Sequence, residues 1–317
     1  MPSATLPYKV IVTNKSLGST DGMGMASFDF LSLVDAENYA AQLRLSKAGS
    51  DYFNSYIYIW NGSGEVLTEY SPLDSDFTAV IDTATGASVP LPSNTVINAT
   101  DTLIKALKAG ANTWGELDAF YLFATDSKDF ALYNLKDSSV TATRVDAPTF
   151  TNNIGYNGDG ASSYLDLGYD STTQFTQNDA SMGVYSWDDM SVVSFQRPIS
   201  KAGRTRLHTN TSNSNNRLNN GNIGANSKEL SASGTGLIGM TRNDPDGFFG
   251  LDSSGVIASD ENVIASQAVQ AGNFQTNNFS GNFTQGRLGL AWIGGSLSAT
   301  QWSEYVTAVN TYISSIS

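Results

Sequence analysis

GYNGDGASSYLDLGY, residues 155–169, sets glycines, aspartates and serines between aromatic residues. Three readings compete for it: a metal loop, a catalytic turn, or a tight turn that delivers a strand into a β-sheet. Gly158 and Gly160 permit such a turn, and Tyr164, Leu165 and Leu167 begin a β-prone run after it. Asp159 suits turn initiation through its own backbone. Asp159 and Asp166 also offer oxygen ligands, which makes a structural calcium the alternative. The Asp-x-Asp-x-Asp-Gly calcium loop is absent, however, and no cofactor is expected. The stretch is read as architecture.

The chain around it supports that reading. From about residue 130 onward, short β-prone runs alternate with Gly, Asn, Asp and Ser clusters, the rhythm of a two-sheet sandwich or jelly roll. The runs are SMGVYSW (181–187), DMSVVSFQR (189–197), TGLIGMTR (235–242), FFGLD (248–252) and RLGLAWIGG (287–295). NDPDG (243–247) predicts a turn in which Pro245 fixes φ and Gly247 takes the left-handed position. NTSNSNNRLNNGNIGANSKE (210–229) is a polar low-complexity segment and reads as loops. The chain then closes with a helix. Ser298 and Gln301 form a capping box ahead of an apolar face of Trp302, Tyr305, Val306, Val309, Tyr312, Ile313 and Ile316.

The first segment has a different texture. YKVIVT (8–13) and ASFDFLSL (26–33) read as strands, and Asp35 caps a helix that Gly49 stops. SYIYIW and EVLTEY (55–70) flank Asn-Gly-Ser-Gly, a hairpin signal. Residues 71–94 read as a connector with at most one strand. Val96, Thr100, Leu103, Ile104 and Leu107 then form one helical stripe, capped by Asn94 or Thr95 and ended by Gly110. LDAFYLFAT (117–125) reads as a buried strand. The fold class expected is mainly β: an antiparallel β-sandwich with a small N-terminal α+β domain and a C-terminal helix. The domains expected are 1–75, a linker over 76–93, and 94–317.

Composition narrows the function. Charged residues make up 15% of the chain, and the formal net charge is −13. An acidic surface repels phosphate backbones and anionic lipid, so nucleic acid and membranes are not expected as partners. No cysteine is present, which removes disulfide and thiolate chemistry. The N-terminus MPSATLPYKVIVT lacks a basic and apolar secretory signal, so synthesis in the cytoplasm is expected.

Catalytic patterns do not emerge. His208 is the sole histidine and no G-x-S-x-G elbow accompanies it, which argues against a Ser/His/Asp triad and a His-based metal shell. Of the seven glutamates only Glu229, Glu261 and Glu304 lie in the sandwich segment, and none belongs to a Glu-x-Asp-x-(x)-Glu pattern. The aspartate pairs Asp188–Asp189 and Asp244–Asp246 remain. The expectation is a chain that is not an enzyme. Sugar binding asks only for aromatic faces and fixed polar groups. Trp187, Asp188, Arg197, Arg204, Arg206 and His208, near strand ends, are the candidate ligand-binding residues.

Taken in order, Y-N-G-D-G-A-S-S-Y-L-D-L-G-Y (156–169), Q-N-D-A-S-M-G-V-Y (177–185) and R-L-G-L-A-W-I-G-G-S-L-S-A-T-Q-W (287–302) resemble a known family. This is the concanavalin A-like (laminin-G-like) domain of tailed-phage and prophage structural proteins. I-N-A-T-D-T-L-I-K-A-L-K (97–108) and W-G-E-L-D-A-F-Y-L-F-A (114–124) resemble the lead-in of the same proteins. The resemblance covers about residues 94–317. It implies a concanavalin A-like jelly roll in a virion component of tail-fibre, head-fibre or spike type that recognises host cell-surface polysaccharide. It transfers no ligand residue. By elimination the N-terminal unit would anchor the module to capsid, portal or tail proteins, within a homo-oligomer. A purely structural decoration protein, and an enzyme degrading polysaccharide through Asp188 or Asp189, are the alternatives.

Overall fold

In the computed structural model, residues 155–169 carry the chain around a corner from one β-sheet to another. The structure describes residues 7–13, 24–45, 56–61, 63, 65–170, 176–189, 197–201, 205–207, 218, 235–257, 268–269, 272–279 and 282–317. Strand Gly155–Asp159 belongs to an eight-stranded sheet and strand Tyr164–Asp170 to a five-stranded one. Between them Asp159 Oδ1 accepts the backbone N–H groups of Ala161, Ser162 and Ser163, each at 2.8 Å. Gly160 takes a φ of +73°. The backbone N–H groups, that of Ser162 foremost, hold the Asp159 carboxyl well below the usual carboxylate range. The turn is therefore as expected, but it joins two sheets. Gly158 plays another part: it lies within the strand, where a Cβ would stand 2.4 Å from Thr284 O.

The described residues fall into two compact units, 1–82 and 83–317. In the first, an antiparallel sheet runs in the order Gly24–Phe30, Tyr8–Thr13, Tyr56–Asn61, Val66–Tyr70. Helix α1 (Leu33–Arg44) packs against it, and Val10, Val12, Ala36, Ala40, Leu43, Ile57 and Ile59 form the core. The expected hairpin is present, with Asn61 Oδ1 accepting the N–H groups of Ser63 and Glu65. The expected cap is displaced. Ser32 Oγ accepts from Asp35 N at 3.1 Å, which leaves Asp35 in the first turn, where its charge suits the helix dipole. Gly49 lies outside the described residues.

A second correction concerns residues 76–93. Helix α2 (Ser75–Gly86) occupies much of the expected connector, and the division between the two units falls inside it. Asp74 caps this helix, its Oδ1 accepting from Asp76 N at 2.9 Å. Phe77, Val80, Ile81 and Ala84 recur at helical spacing and are buried. Flanking prolines and β-branched residues masked that stripe.

The second unit has three layers. Its eight-stranded sheet runs Gly255–Ile257, Gly247–Asp252, Gly236–Asp244, Ala180–Ser186, Gln285–Gly294, Gly155–Asp159, Thr149–Thr151, and Leu117–Leu122 also pairs with Gln285–Gly294. The five-stranded sheet runs Thr205–Arg206, Ile199–Lys201, Asn273–Thr276, Tyr164–Asp170, Thr143–Val145. The pairings are antiparallel. Tyr121, Leu165, Leu167, Met182, Val184, Ile238, Met240, Phe274 and Ile293 fill the space between the sheets. The turn at 243–247 is present, but Gly247 is not left-handed; Asp244 Oδ1 accepts from Asp246 N instead. Residues 190–196 of the expected 189–197 strand lie outside the described residues.

Helices cover the other face of the large sheet. Helix α3 (Asn94–Lys108) is capped by Ser93, one residue ahead of the expected cap, and ends before Gly110, whose φ is +58°. The single turn α4 (Thr113–Glu116) leads into Leu117–Leu122, a buried strand as expected. Helix α5 (Ala299–Ile316) carries the expected capping box and packs on α3 and the sheet. Its Trp302 and Tyr305 meet Trp292, with ring centroids 5.6 and 5.0 Å away. Trp292 fits because Gly183 and Gly239, cross-strand partners, leave room: their Cβ atoms would stand 2.0 and 2.5 Å from its indole. Among the described residues no helix is long and apolar enough to cross a membrane.

Candidate functional site

The register between strands Ala180–Ser186 and Gln285–Gly294 slips by one residue. Tyr185 pairs with Leu290 but Ser186 with Leu288, so Gly289 is the extra residue of a bulge. Beyond it Trp187 N donates to Arg287 O at 3.0 Å, which extends the pairing and sets Tyr185 and Trp187 on one face. Their rings meet edge to face with centroids 5.1 Å apart. A Cβ at Gly289 would lie 3.0 Å from Trp187 Nε1 and 3.3 Å from both Tyr185 Cδ1 and Ala124 Cβ. Both rings thus rest over the bare backbone of the bulge. Helix α5 ends near this place: Tyr312 donates to Ala124 O at 2.6 Å, and Asn153 Nδ2 donates to Ile316 O.

The two aromatic residues are half-buried and fixed. Trp187 Nε1 donates to Ile154 O at 2.8 Å, which locks the indole plane. Burial pushes the Tyr185 hydroxyl above its usual range. Beside them Arg287 grips Asp188 through Nη2 to Oδ1 at 2.6 Å and Nε to Oδ1 at 3.0 Å, and its backbone N–H donates to Oδ2 at 2.8 Å. The Arg287 guanidinium lowers the Asp188 carboxyl below the usual range, although burial opposes the shift. Asp188 and Arg287 side chains are 37% and 46% exposed. The result is a rigid aromatic shelf with an oriented ion pair at its edge. Such a surface can stack an apolar sugar face and bond the adjoining hydroxyls.

The residues singled out in the sequence separate here. Trp187 and Asp188 come together in the shelf. Arg197 and Arg206 are each 7% exposed and are buried, not presented at a surface. Arg197 N donates to Thr284 Oγ1 at 2.8 Å, and Arg206 pairs with Ser200 within the five-stranded sheet. Arg204 and His208 lie outside the described residues, as does the polar segment 210–229 except Leu218, which is buried. Asp244 serves the turn at 243–247. Among the described residues no group of three or more acids or histidines could hold a metal ion. Tyr185, Ile154, Arg287 and Gly289 were missed. RLGLAWIGG marked a strand, but nothing local tells that Arg287 reaches a carboxylate 99 residues earlier.

No family model matches the sequence, and no curated protein does. Solved structures do show likeness. Domain 4 of AbnA, a GH43 extracellular arabinanase from Geobacillus stearothermophilus, in complex with arabinotriose, is 15% identical with a TM-score of 0.41. The match covers 60% of this chain and 98% of that one. A mutant Trypanosoma rangeli sialidase displaying trans-sialidase activity is 8% identical with a TM-score of 0.45, covering 81% of this chain and 43% of the sialidase. The botulinum neurotoxin serotype D binding domain is 11% identical with a TM-score of 0.34, covering 61% and 51%. This chain therefore spans about half or less of the latter two. The expectation that the chain is not an enzyme is corrected by this comparison, because glycoside hydrolases are among the structures it is similar to.

Proposed function

We propose that residues 83–317 form a carbohydrate-binding β-sandwich that holds saccharide rings against the Tyr185–Trp187 shelf. One observation carries this reading: two half-buried aromatic rings, locked in place, stand beside a bidentate and partly exposed Asp188–Arg287 pair. The ring faces offer stacking, and the ion pair offers donors and acceptors already oriented before a ligand arrives. The setting we propose, a tailed-phage particle with host cell-surface polysaccharide as the ligand, is supported by the sequence resemblance over about residues 94–317. In that setting residues 1–82 would meet the capsid or tail, and the protein would assemble as a homo-oligomer.

The test is a glycan array probed with the wild-type protein and with Trp187→Ala. Loss of one ring contact is expected to weaken retained glycans about tenfold, while the unfolding transition stays single. Equal retention by both proteins would refute the shelf as the site. Immunogold labelling of purified particles tests the setting, and unlabelled particles would reject it.

A further inference from the structure

The Trp187 indole is aimed by one atom, the carbonyl oxygen of Ile154. Ile154 stands between two left-handed residues: Asn153 takes a φ of +60° and Gly155 a φ of +112°. Gly155 has no alternative, because a Cβ there would stand 2.1 Å from Leu288 O. Asn153 is different, since a left-handed asparagine is tolerated rather than favoured and must be held. Two bonds hold it. Its backbone N–H donates to Thr125 O at 2.9 Å, and its Nδ2 donates to Ile316 O at 2.8 Å. Ile316 is the last residue of α5, where helix carbonyls lack partners within the helix. Only this amide orientation fits, because the reverse would set oxygen against oxygen.

The second support of the shelf is reached from the same helix. Gly289 O, in the bulge beneath both rings, accepts from Ala124 N at 2.7 Å. Ala124 O in turn accepts from the buried Tyr312 hydroxyl at 2.6 Å. Tyr312 lies one turn before Ile316. Two consecutive turns of α5 are thus bonded, each through one intermediary, to the two places where the aromatic rings are seated.

We propose that Asn153 and Tyr312 are positioning residues through which the last turns of α5 set the Tyr185–Trp187 geometry that a saccharide meets. The proposal rests on the glycan-binding reading of the shelf and adds to it two residues that touch no ligand. Without the Asn153 side chain, the turn over 151–154 gains other conformations and the Ile154 carbonyl no longer points one way. The indole then acquires freedom that a bound saccharide must remove, and affinity falls.

The test compares Asn153→Gly, Tyr312→Phe and Ser298→Ala in the full chain. Asn153→Gly keeps the left-handed conformation free of strain and removes the tie to Ile316 O. Ser298→Ala loosens the opposite end of α5 and is the control for a general loss of stability. One readout is hydrogen exchange of the Trp187 Nε1–H, assigned in NMR spectra by its absence from Trp187→Phe. The other is the affinity, by titration calorimetry, for the glycan that the wild type retains most strongly on the array. Asn153→Gly is expected to exchange that proton about two- to tenfold faster and to bind that glycan more weakly by a similar factor, the scale of one hydrogen bond. Tyr312→Phe should weaken the same glycan within that range, and Ser298→Ala should move neither readout. An exchange rate unchanged by Asn153→Gly overturns the proposal, as does an affinity unchanged by both Asn153→Gly and Tyr312→Phe. A Ser298→Ala control that moves both readouts as far as Asn153→Gly also overturns it, because the ties then contribute stability alone. An array that retains no glycan defeats the shelf reading instead. The exchange rates then decide by themselves, a faster rate in Asn153→Gly upholding the tie to Trp187 and an unchanged one overturning it.

Discussion

Gly183→Ala is the sharpest probe of how the large sheet accepts its helices. The added Cβ would stand 2.0 Å from Trp292 Cη2, 2.4 Å from Trp292 Cζ2 and 2.4 Å from Ile238 O. Carbon atoms in ordinary contact keep about 3.5–4.0 Å, so the indole or the neighbouring strand must retreat by well over an ångström. Neither has room. Trp292 is fully buried, with Trp302 and Tyr305 against it, and Ile238 O belongs to the partner strand. Overpacking of this kind costs about 1–3 kcal/mol. For a unit of this size the melting temperature falls by about 2–4 °C per kcal/mol, so a drop of about 2–12 °C is expected by far-UV circular dichroism. Gly247→Ala is the control, because nothing lies within 4 Å of its Cβ position. Trp292→Phe combined with Gly183→Ala should recover part of the loss, since the smaller ring relieves the clash and removes an indole N–H that has no partner. If Gly183→Ala melts with Gly247→Ala, or if the two losses simply add, the packing account is wrong.

Other perturbations read other parts of the fold. Ser298→Ala removes the hydroxyl half of the capping box on α5, leaving the Ser298 N–H bond to Gln301 Oε1, and should cost about 1 kcal/mol in urea unfolding; an unchanged midpoint would mean that packing alone fixes the helix start. Asp188 has a depressed carboxyl, so its stabilisation is present above the unfolded value near about 4 and fades as pH falls through the folded value. Because the pair is partly exposed, Asp188→Asn should cost about 0.5–1 kcal/mol at neutral pH and nothing at strongly acid pH. A gap that persists in acid would point to a different role. Asp118 has the opposite sign. With its carboxyl raised, the folded state holds the proton longer than the unfolded chain, and stability falls as pH rises through the folded value. Asp118→Asn should therefore melt like the wild type near pH 3 and above it near pH 7, the reverse order being fatal to the burial argument.

Most of the framework was legible because it is written in local patterns. Ser298 and Gln301 announce a helix start within four residues, and Asn61 to Gly64 announce a hairpin. The α2 stripe was harder, because Thr78, Val80 and Ile81 suit strands as well as helices and prolines stand nearby. Trp187 and Asp188 were found as chemistry-bearing residues at a strand end, the same reasoning that wrongly selected Arg197 and Arg206. Residue type alone does not say which arginine is buried; a tertiary position decides it. Arg287 was invisible for that reason, since it acquires its role from a carboxylate brought close only by the pairing of distant strands.

The extra residue at Gly289 has a consequence for how such a surface could change over time. Leu288 and Ala291, three positions apart, both face the sandwich interior, because the slip absorbs one step of the alternation. Deleting Gly289 would restore strict alternation with Leu288 still opposite Ser186 and still facing inward, Arg287 facing outward, and the bare backbone under the Tyr185 and Trp187 rings removed. The seat of the two rings would change while Asp188 and Arg287 keep their faces. The seat of the two aromatic rings is therefore set by chain length at one position, and one-residue insertions and deletions between Arg287 and Leu290 would reset the Tyr185–Trp187 geometry without changing either residue.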